Sequence, residues 1–206
     1  MPDRLRIEAE LAAYYDHEAE DRERRPLSDQ RLEAHKRFLA EIDMSLPVLE
    51  VGTGTGRDVK EFVAAGLAVV GIDLSLEQAR RARAAGAHQV IASARSLPFR
   101  DNSFSALWSM STLMHVPNSA IRETLGEVRR VLTPGAVAAI GVWGGPDTED
   151  YGEFKGHLGH GRLFSRRSDE TWRGLLRLVG EPQVYERWSD DGDDFWYQFA
   201  VLRVPL

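Results

Sequence analysis

A short, mostly apolar run, Val48-Leu49-Glu50-Val51, passes directly into Gly52-Thr53-Gly54-Thr55-Gly56, and a helical pattern begins at residue 57. Few arrangements tolerate three glycines in five positions between a buried strand and a helix. Glycine turns the backbone tightly and leaves room for another group to approach the main chain. A second apolar run, residues 67–72, ends in Asp73, 21 positions after Gly52. A strand, a glycine turn, a helix and a second strand form a crossover unit, the unit from which parallel sheets are built.

The alternation continues along the chain. Residues 57–65 read as a helix stopped at Gly66, a C′ position. Ser75 and Gln78 have capping-box spacing, and the helix they open runs to about Ala85, before Gly86. Residues 88–91 and 104–109 read as strands three and four. Asn118 is expected to cap a helix through Leu132, closed by Pro134-Gly135, and 136–142 forms the fifth strand. Residues 144–167 are glycine-rich and expected to be irregular, and 168–179 forms a helix that stops at Gly180. Residues 183–188 and 195–203 are the last strands, antiparallel because only the acidic turn 190–194 joins them. Ahead of all this, residues 4–42 read as two amphipathic helices separated at Pro26, a segment able to cover a pocket.

A chain of 206 residues is expected to form one domain, 1–206, with a helical cap over 1–45 and a substrate loop over 144–167. The absence of cysteine excludes a disulfide framework, a thiolate metal site, an iron–sulfur cluster and a cysteine nucleophile. The formal charge of −6 weighs against a nucleic-acid partner. No apolar run approaches a membrane span, and residues 1–10 lack the apolar core of a signal peptide, so a cytoplasmic protein without a membrane partner is expected. A monomer or a homodimer suits this charge and these short loops.

The glycine loop with Asp73 suits an adenosine, whose ribose hydroxyls a strand-end carboxylate accepts. Two ligand classes share that need. A dinucleotide carries a pyrophosphate and prefers G-x-G-x-x-G at a helix N-terminus. S-adenosylmethionine carries an ammonium, a carboxylate and a sulfonium instead. The spacing here is G-x-G-x-G, and Glu50, two residues before the first glycine, suits an ammonium and repels a pyrophosphate. Asp58 adds negative charge at the helix start, where it also complements the helix dipole. The residues favour S-adenosylmethionine over a nicotinamide dinucleotide.

Over residues 10–203 the sequence resembles the class I S-adenosylmethionine-dependent methyltransferases, in particular the small-molecule group that includes the ubiquinone and menaquinone enzymes. The segments that carry the resemblance are Val48 to Asp58, Val70 to Ser75, Leu97-Pro98-Phe99-Arg100-Asp101-Asn102-Ser103-Phe104, Leu113-Met114-His115-Val116, and Arg130-Val131-Leu132-Thr133-Pro134-Gly135. It implies a Rossmann-like, doubly wound α/β sheet of seven strands, mostly parallel with an antiparallel last strand, in the order 3-2-1-4-5-7-6. It also implies methyl transfer to a small-molecule acceptor by in-line displacement. Two positions depart from the family. Ser93 stands where an adenine-binding Asp is frequent, and Ser105 replaces the Asp of "SFD". The asparagine/aspartate-Pro-Pro-Tyr motif of amino-methylating DNA and glutamine enzymes is absent, with Ser109-Met110-Ser111-Thr112 in its place.

The expected cofactor contacts are Glu50, Gly52, Thr53, Gly54, Gly56, Arg57, Asp73, Leu74, Ser93, Ala94, Arg95, Ser109 and Tyr15. Arg57 is expected to meet the methionine carboxylate, and Tyr14 and Tyr15 to close over the methionine end. His115 is the expected general base, although such a histidine can equally pack the start of a helix. Trp143 and the loop bearing Tyr151, Phe154, His157, His160, Arg162, Arg166 and Arg167 are expected to set acceptor specificity. No metal is expected: His157 and His160 lack a third ligand, and 190–194 reads as a turn. Two other functions remain open, a non-catalytic S-adenosylmethionine-binding regulatory module and an NAD-dependent oxidoreductase.

Overall fold

A computed structural model of the chain describes residues 4–152, 162–189 and 195–206. Helices α1 (Arg4–Arg24) and α2 (Asp29–Glu41) come first. Ser28 caps α2, its hydroxyl accepting from the Arg31 amide at 3.2 Å. The crossover units follow: β1 (Val48–Val51), α3 (Arg57–Ala64), β2 (Val69–Asp73), α4 (Leu76–Ala84), β3 (His88–Ile91) and β4 (Phe104–Met110). A single turn at Leu113–His115, α5 (Ile121–Val131) and β5 (Leu132–Gly144) complete the alternating part. The chain then forms β6 (Thr148–Gly152), β7 (Arg162–Arg166), α6 (Asp169–Leu176), β8 (Glu181–Ser189) and β9 (Trp196–Arg203).

The seven-stranded sheet has the order β3-β2-β1-β4-β5-β9-β8. β1 to β5 pair in parallel, and β9 runs antiparallel to both β5 and β8. Counting the strands of this sheet alone, the order is the expected 3-2-1-4-5-7-6. The departure lies in the separate pair β6–β7, antiparallel with Asp150 opposite Phe164. Residues 144–167 are therefore not simply irregular: β7 alternates inward Leu163 and Ser165 with cavity-side Arg162, Phe164 and Arg166.

β1 pairs with β2 on one side and β4 on the other, so the sheet changes winding direction between β1 and β4. The carboxyl ends of those strands splay there and leave a crevice. Strand alternation fills both faces behind it. Leu107, Ala138 and Leu202 pack toward α5 and α6, while Trp108, Ala139 and Phe199 pack toward α2 and α3. The rings of His35, Phe38 and Phe62 surround Trp108 with centroids at 4.7, 5.1 and 5.4 Å. This cluster binds α2 to the sheet.

Two caps differ from expectation. Asn118 does not cap α5, which starts behind Ala120 without a side-chain cap; the Asn118 Oδ1 instead accepts from Arg167 Nε at 3.0 Å. Ser75 does cap α4, accepting from the Gln78 amide at 3.1 Å, but the Gln78 side chain donates to the Tyr15 carbonyl rather than completing the box. β5 starts four residues early, at Leu132, and its pairing with β4 shifts register between Phe104 and Ala106. Two of the sequence segments named above meet through Arg130, which donates to the carbonyls of Leu97 and Phe99 at 3.0 and 2.8 Å and pairs with Asp101 at 2.8 Å.

Candidate active site

A cavity of about 790 Å³ opens over the crevice. Its floor is the carboxyl ends of the strands, and α1 with the segment after it forms part of its wall. At one end stand Gly52, Thr53, Gly54, Asp73, Leu74, Ser93, Ala94 and Arg95. At the other stand Ser111, His115, Trp143, Phe164, Trp188 and Tyr197. Tyr15 and Arg57 also line it.

The glycine loop is held by its own sequence. Gly52 has φ +76°, and a Cβ there would lie 1.9 Å from the Thr112 hydroxyl, so only glycine fits. The Thr53 hydroxyl donates to the Ile72 carbonyl at 3.1 Å. The Gly54 amide donates to Asp73 Oδ2 at 2.8 Å, and the Ser75 amide to Oδ1 at 2.9 Å. Burial raises the Asp73 carboxyl above its ordinary value, and these backbone donors oppose that rise.

Three expected contacts fall outside the cavity lining. Gly56 packs its backbone against α4, where a Cβ would meet Ala82 Cα at 2.8 Å. Ser109 is buried and donates to the Val51 carbonyl at 2.9 Å, joining β4 to β1. Glu50 sits behind the loop at 1% exposure, and its Oε2 has no hydrogen-bond partner. Burial raises its pKa well above the ordinary range, with Asp58 adding to the rise. Arg57 reaches the carbonyls of Arg25 and Pro26, at 3.2 and 3.4 Å.

The Ser93 hydroxyl donates to Glu8 Oε1 of α1 at 2.7 Å and accepts from the Arg95 amide at 3.1 Å. A carboxylate therefore does stand beside position 93, contributed by a helix 85 residues away in sequence. The sequence reading missed Glu8. Its signal was the seven-residue spacing of Glu8, Tyr15 and Arg22, which puts all three on one face of α1. All three line the cavity.

At the far end the tautomer of His115 is fixed. Its Nδ1 donates to the Leu163 carbonyl at 2.7 Å, so Nε2 accepts from the Tyr15 hydroxyl, also at 2.7 Å. Burial pushes His115 down to about 3, and the Arg162 and Arg22 charges add to the fall. Burial also raises the Tyr15 phenol, against the same two arginines. Arg167, expected in the acceptor loop, is buried and donates to the carbonyls of Val116, Leu113 and Ser165 at 2.8, 3.4 and 3.3 Å. It holds the turn that carries His115. Phe154, His157, His160 and 190–194 lie outside the described residues.

Asp58 resolves one ambiguity. Burial works against its charge, but the Arg31 guanidinium and the His35 ring hold its carboxyl well below the usual range. A buried carboxylate clamped at the start of α3 leaves no place for a pyrophosphate. Among the described residues, Glu50 Oε2, Thr55 Oγ1 and Gln78 Oε1 are buried near this end without a hydrogen-bond partner. Such atoms suit a ligand that brings a cation and donors, as S-adenosylmethionine does with its ammonium and adenine amino group.

Comparison with known proteins agrees. A methyltransferase domain family matches residues 49–140. Sterol 24-C-methyltransferase ERG6B of Gibberella zeae is 28% identical over 127 residues, 56% of this chain and 33% of that protein. The chain spans less than half the length of the curated relatives it matches. Among solved structures, the 1,6-didemethyltoxoflavin-N1-methyltransferase of Burkholderia thailandensis, with its acceptor and S-adenosylhomocysteine bound, has a TM-score of 0.75 at 20% identity, covering 100% of this chain and 92% of that one. A methyltransferase from Methanosarcina mazei has a TM-score of 0.73 at 19% identity, covering 88% and 100%. At these identities the structures show the fold alone, which extends beyond residues 49–140 to most of the chain. Among the described residues no helix is long and apolar enough to cross a membrane, and no group of three or more His, Asp or Glu could hold a metal.

Proposed function

We propose that the chain binds S-adenosylmethionine and transfers its methyl group to a small-molecule acceptor. The observation that carries this reading is the glycine loop pinned to the Asp73 carboxylate at the edge of the cavity. When bound, the cofactor supplies a methyl carbon that exchanges its bond to sulfur for a bond to the acceptor, the electron pair staying on sulfur. Asp73 accepts the ribose hydroxyls, the unpartnered Glu50 Oε2 behind the loop is an acceptor for the ammonium, and Glu8, held by Ser93, accepts from the adenine amino group. Tyr15 faces the acceptor: its proton is committed to His115 Nε2, and its phenol oxygen accepts from Arg162 and presents its remaining lone pair to the acceptor. His115 is too weak a base to keep a proton, so it positions Tyr15 rather than carrying charge. Residues 1–206 act as one unit in this reading, with 1–45 covering the site.

Calorimetric titration with S-adenosylhomocysteine, and in parallel with NAD, tests it. The homocysteine product is expected to bind, NAD is not, and Asp73→Asn is expected to weaken binding by about tenfold or more, a charged hydrogen bond being lost. Binding of NAD alone would return the loop to an oxidoreductase. S-adenosylhomocysteine binding without turnover on any acceptor would favour a regulatory module.

A further inference from the structure

The protein carries a net charge of −6, yet among the described residues seven arginines and four carboxylates line the cavity. The excess is positive where the molecule as a whole is negative. S-adenosylmethionine has one carboxylate, one ammonium and one sulfonium, so it adds to that excess rather than cancelling it. β7 concentrates the effect. Its alternation turns Arg162, Phe164 and Arg166 toward the cavity on one edge. The Arg162 Cζ lies 4.5 Å from the Phe164 ring centroid and 4.6 Å from that of Tyr14, within cation–π distance of both rings.

The same end is walled by aromatic rings. Trp143 meets Tyr197 edge-on at 5.3 Å, and Trp188 stacks on Tyr197 at 5.1 Å. Gly141 lets the Tyr197 ring approach β5 so closely that a Cβ would lie 2.6 Å from its edge. The Tyr197 hydroxyl reaches Ser111 Oγ at 3.1 Å. Flat rings beside flat guanidinium groups recognise a flat, negatively charged molecule.

From this placement we infer that the acceptor is a planar aromatic acid, its ring held by Trp143, Phe164 and Tyr197 and its negative charge by Arg162, beside Arg166, which is itself paired with Asp150. The inference rests on the methyltransferase reading for the word acceptor, but the charge selection belongs to the cavity itself. An amine acceptor, cationic before it reacts, meets the wrong sign of field here.

Three probes of one shape isolate the charge: 4-hydroxyphenylacetate, 4-hydroxyphenylacetamide and tyramine, which are anionic, neutral and cationic. Their binding to the whole protein is followed by tryptophan fluorescence with S-adenosylhomocysteine present and absent. The acid is expected to bind about tenfold more tightly than the amide, as a charge-assisted pair in a partly buried site requires, and tyramine most weakly. Arg162→Met is expected to remove the advantage of the acid and leave the amide unchanged, and Arg162→Lys to restore part of it. Equal affinities, an inverted order, or no binding by any of the three would overturn the proposal, and each of those outcomes is read on the unmodified protein. Loss of S-adenosylhomocysteine binding with the acid still preferred would instead defeat the methyltransferase reading and leave the charge selection standing.

Discussion

At one end of the cavity the contacts come mainly from a short stretch of main chain, the glycine loop, with Asp73 and Ser93 close behind it in sequence. At the other end they come from side chains on α1, the 113–115 turn, β5, β7, β8 and β9. The first kind of site is rigid, because its shape is set by backbone angles and strand register. The second is built from side chains, whose identities can vary on one scaffold far more than a glycine turn can.

Four changes break or sharpen that contrast. Gly52→Ala strikes the main-chain end, driving a Cβ into Thr112 and forcing an unfavourable φ. It is expected to abolish S-adenosylhomocysteine binding and to cost about 3 kcal/mol of stability by thermal denaturation. Adding Thr112→Gly should return only part of that loss, since the strained φ remains. Tyr15→Phe strikes the side-chain end. Turnover is expected to fall about 100-fold, while calorimetry finds S-adenosylhomocysteine affinity little changed. An equal loss in both measurements would erase the distinction between the ends.

The third change is pH. The folded chain refuses a proton at His115 until about pH 3, whereas the unfolded chain takes it near 6.5. Between those values the unfolded state binds more protons, so this contribution is complete above 6.5 and is lost as pH falls. The slope is at most about 1.4 kcal/mol per pH unit. Urea titrations across that range should show it, and His115→Gln should flatten it; an unchanged slope would mean that the imidazole is solvated. The smallest effect belongs to Ser75→Ala, about 1 kcal/mol for a lost cap. It also removes the 2.6 Å bond from Ser75 to Asp16 of α1, so amide exchange in α1 should rise with it while the glycine loop stays protected.

The glycine loop was legible in the sequence for a physical reason. Gly52 must be glycine because its φ of +76° and the nearby Thr112 leave no room for a Cβ, so the constraint is local and can be read locally. Arg31 carries no such mark, and Glu8 only its seven-residue spacing from Tyr15 and Arg22. Each looks like an ordinary polar residue on a charged helix, and only tertiary packing brings Glu8 to Ser93 and Arg31 to Asp58. Asn118 misled for the opposite reason: its local pattern is a good cap, but a buried arginine 49 residues away claims the side chain. The β6–β7 pair was hidden because Thr148-Glu149-Asp150-Tyr151-Gly152 is acidic and only half-buried, with none of the apolar alternation that marks a strand.

Glu8, Tyr15 and Arg22 occupy a single helical stripe about 21 Å long. One rigid element therefore carries the carboxylate beside Ser93, the phenol on His115 and a guanidinium charge. A displacement of α1 would remove all three from the cavity together, so their positions are set by a single variable, the seating of one helix.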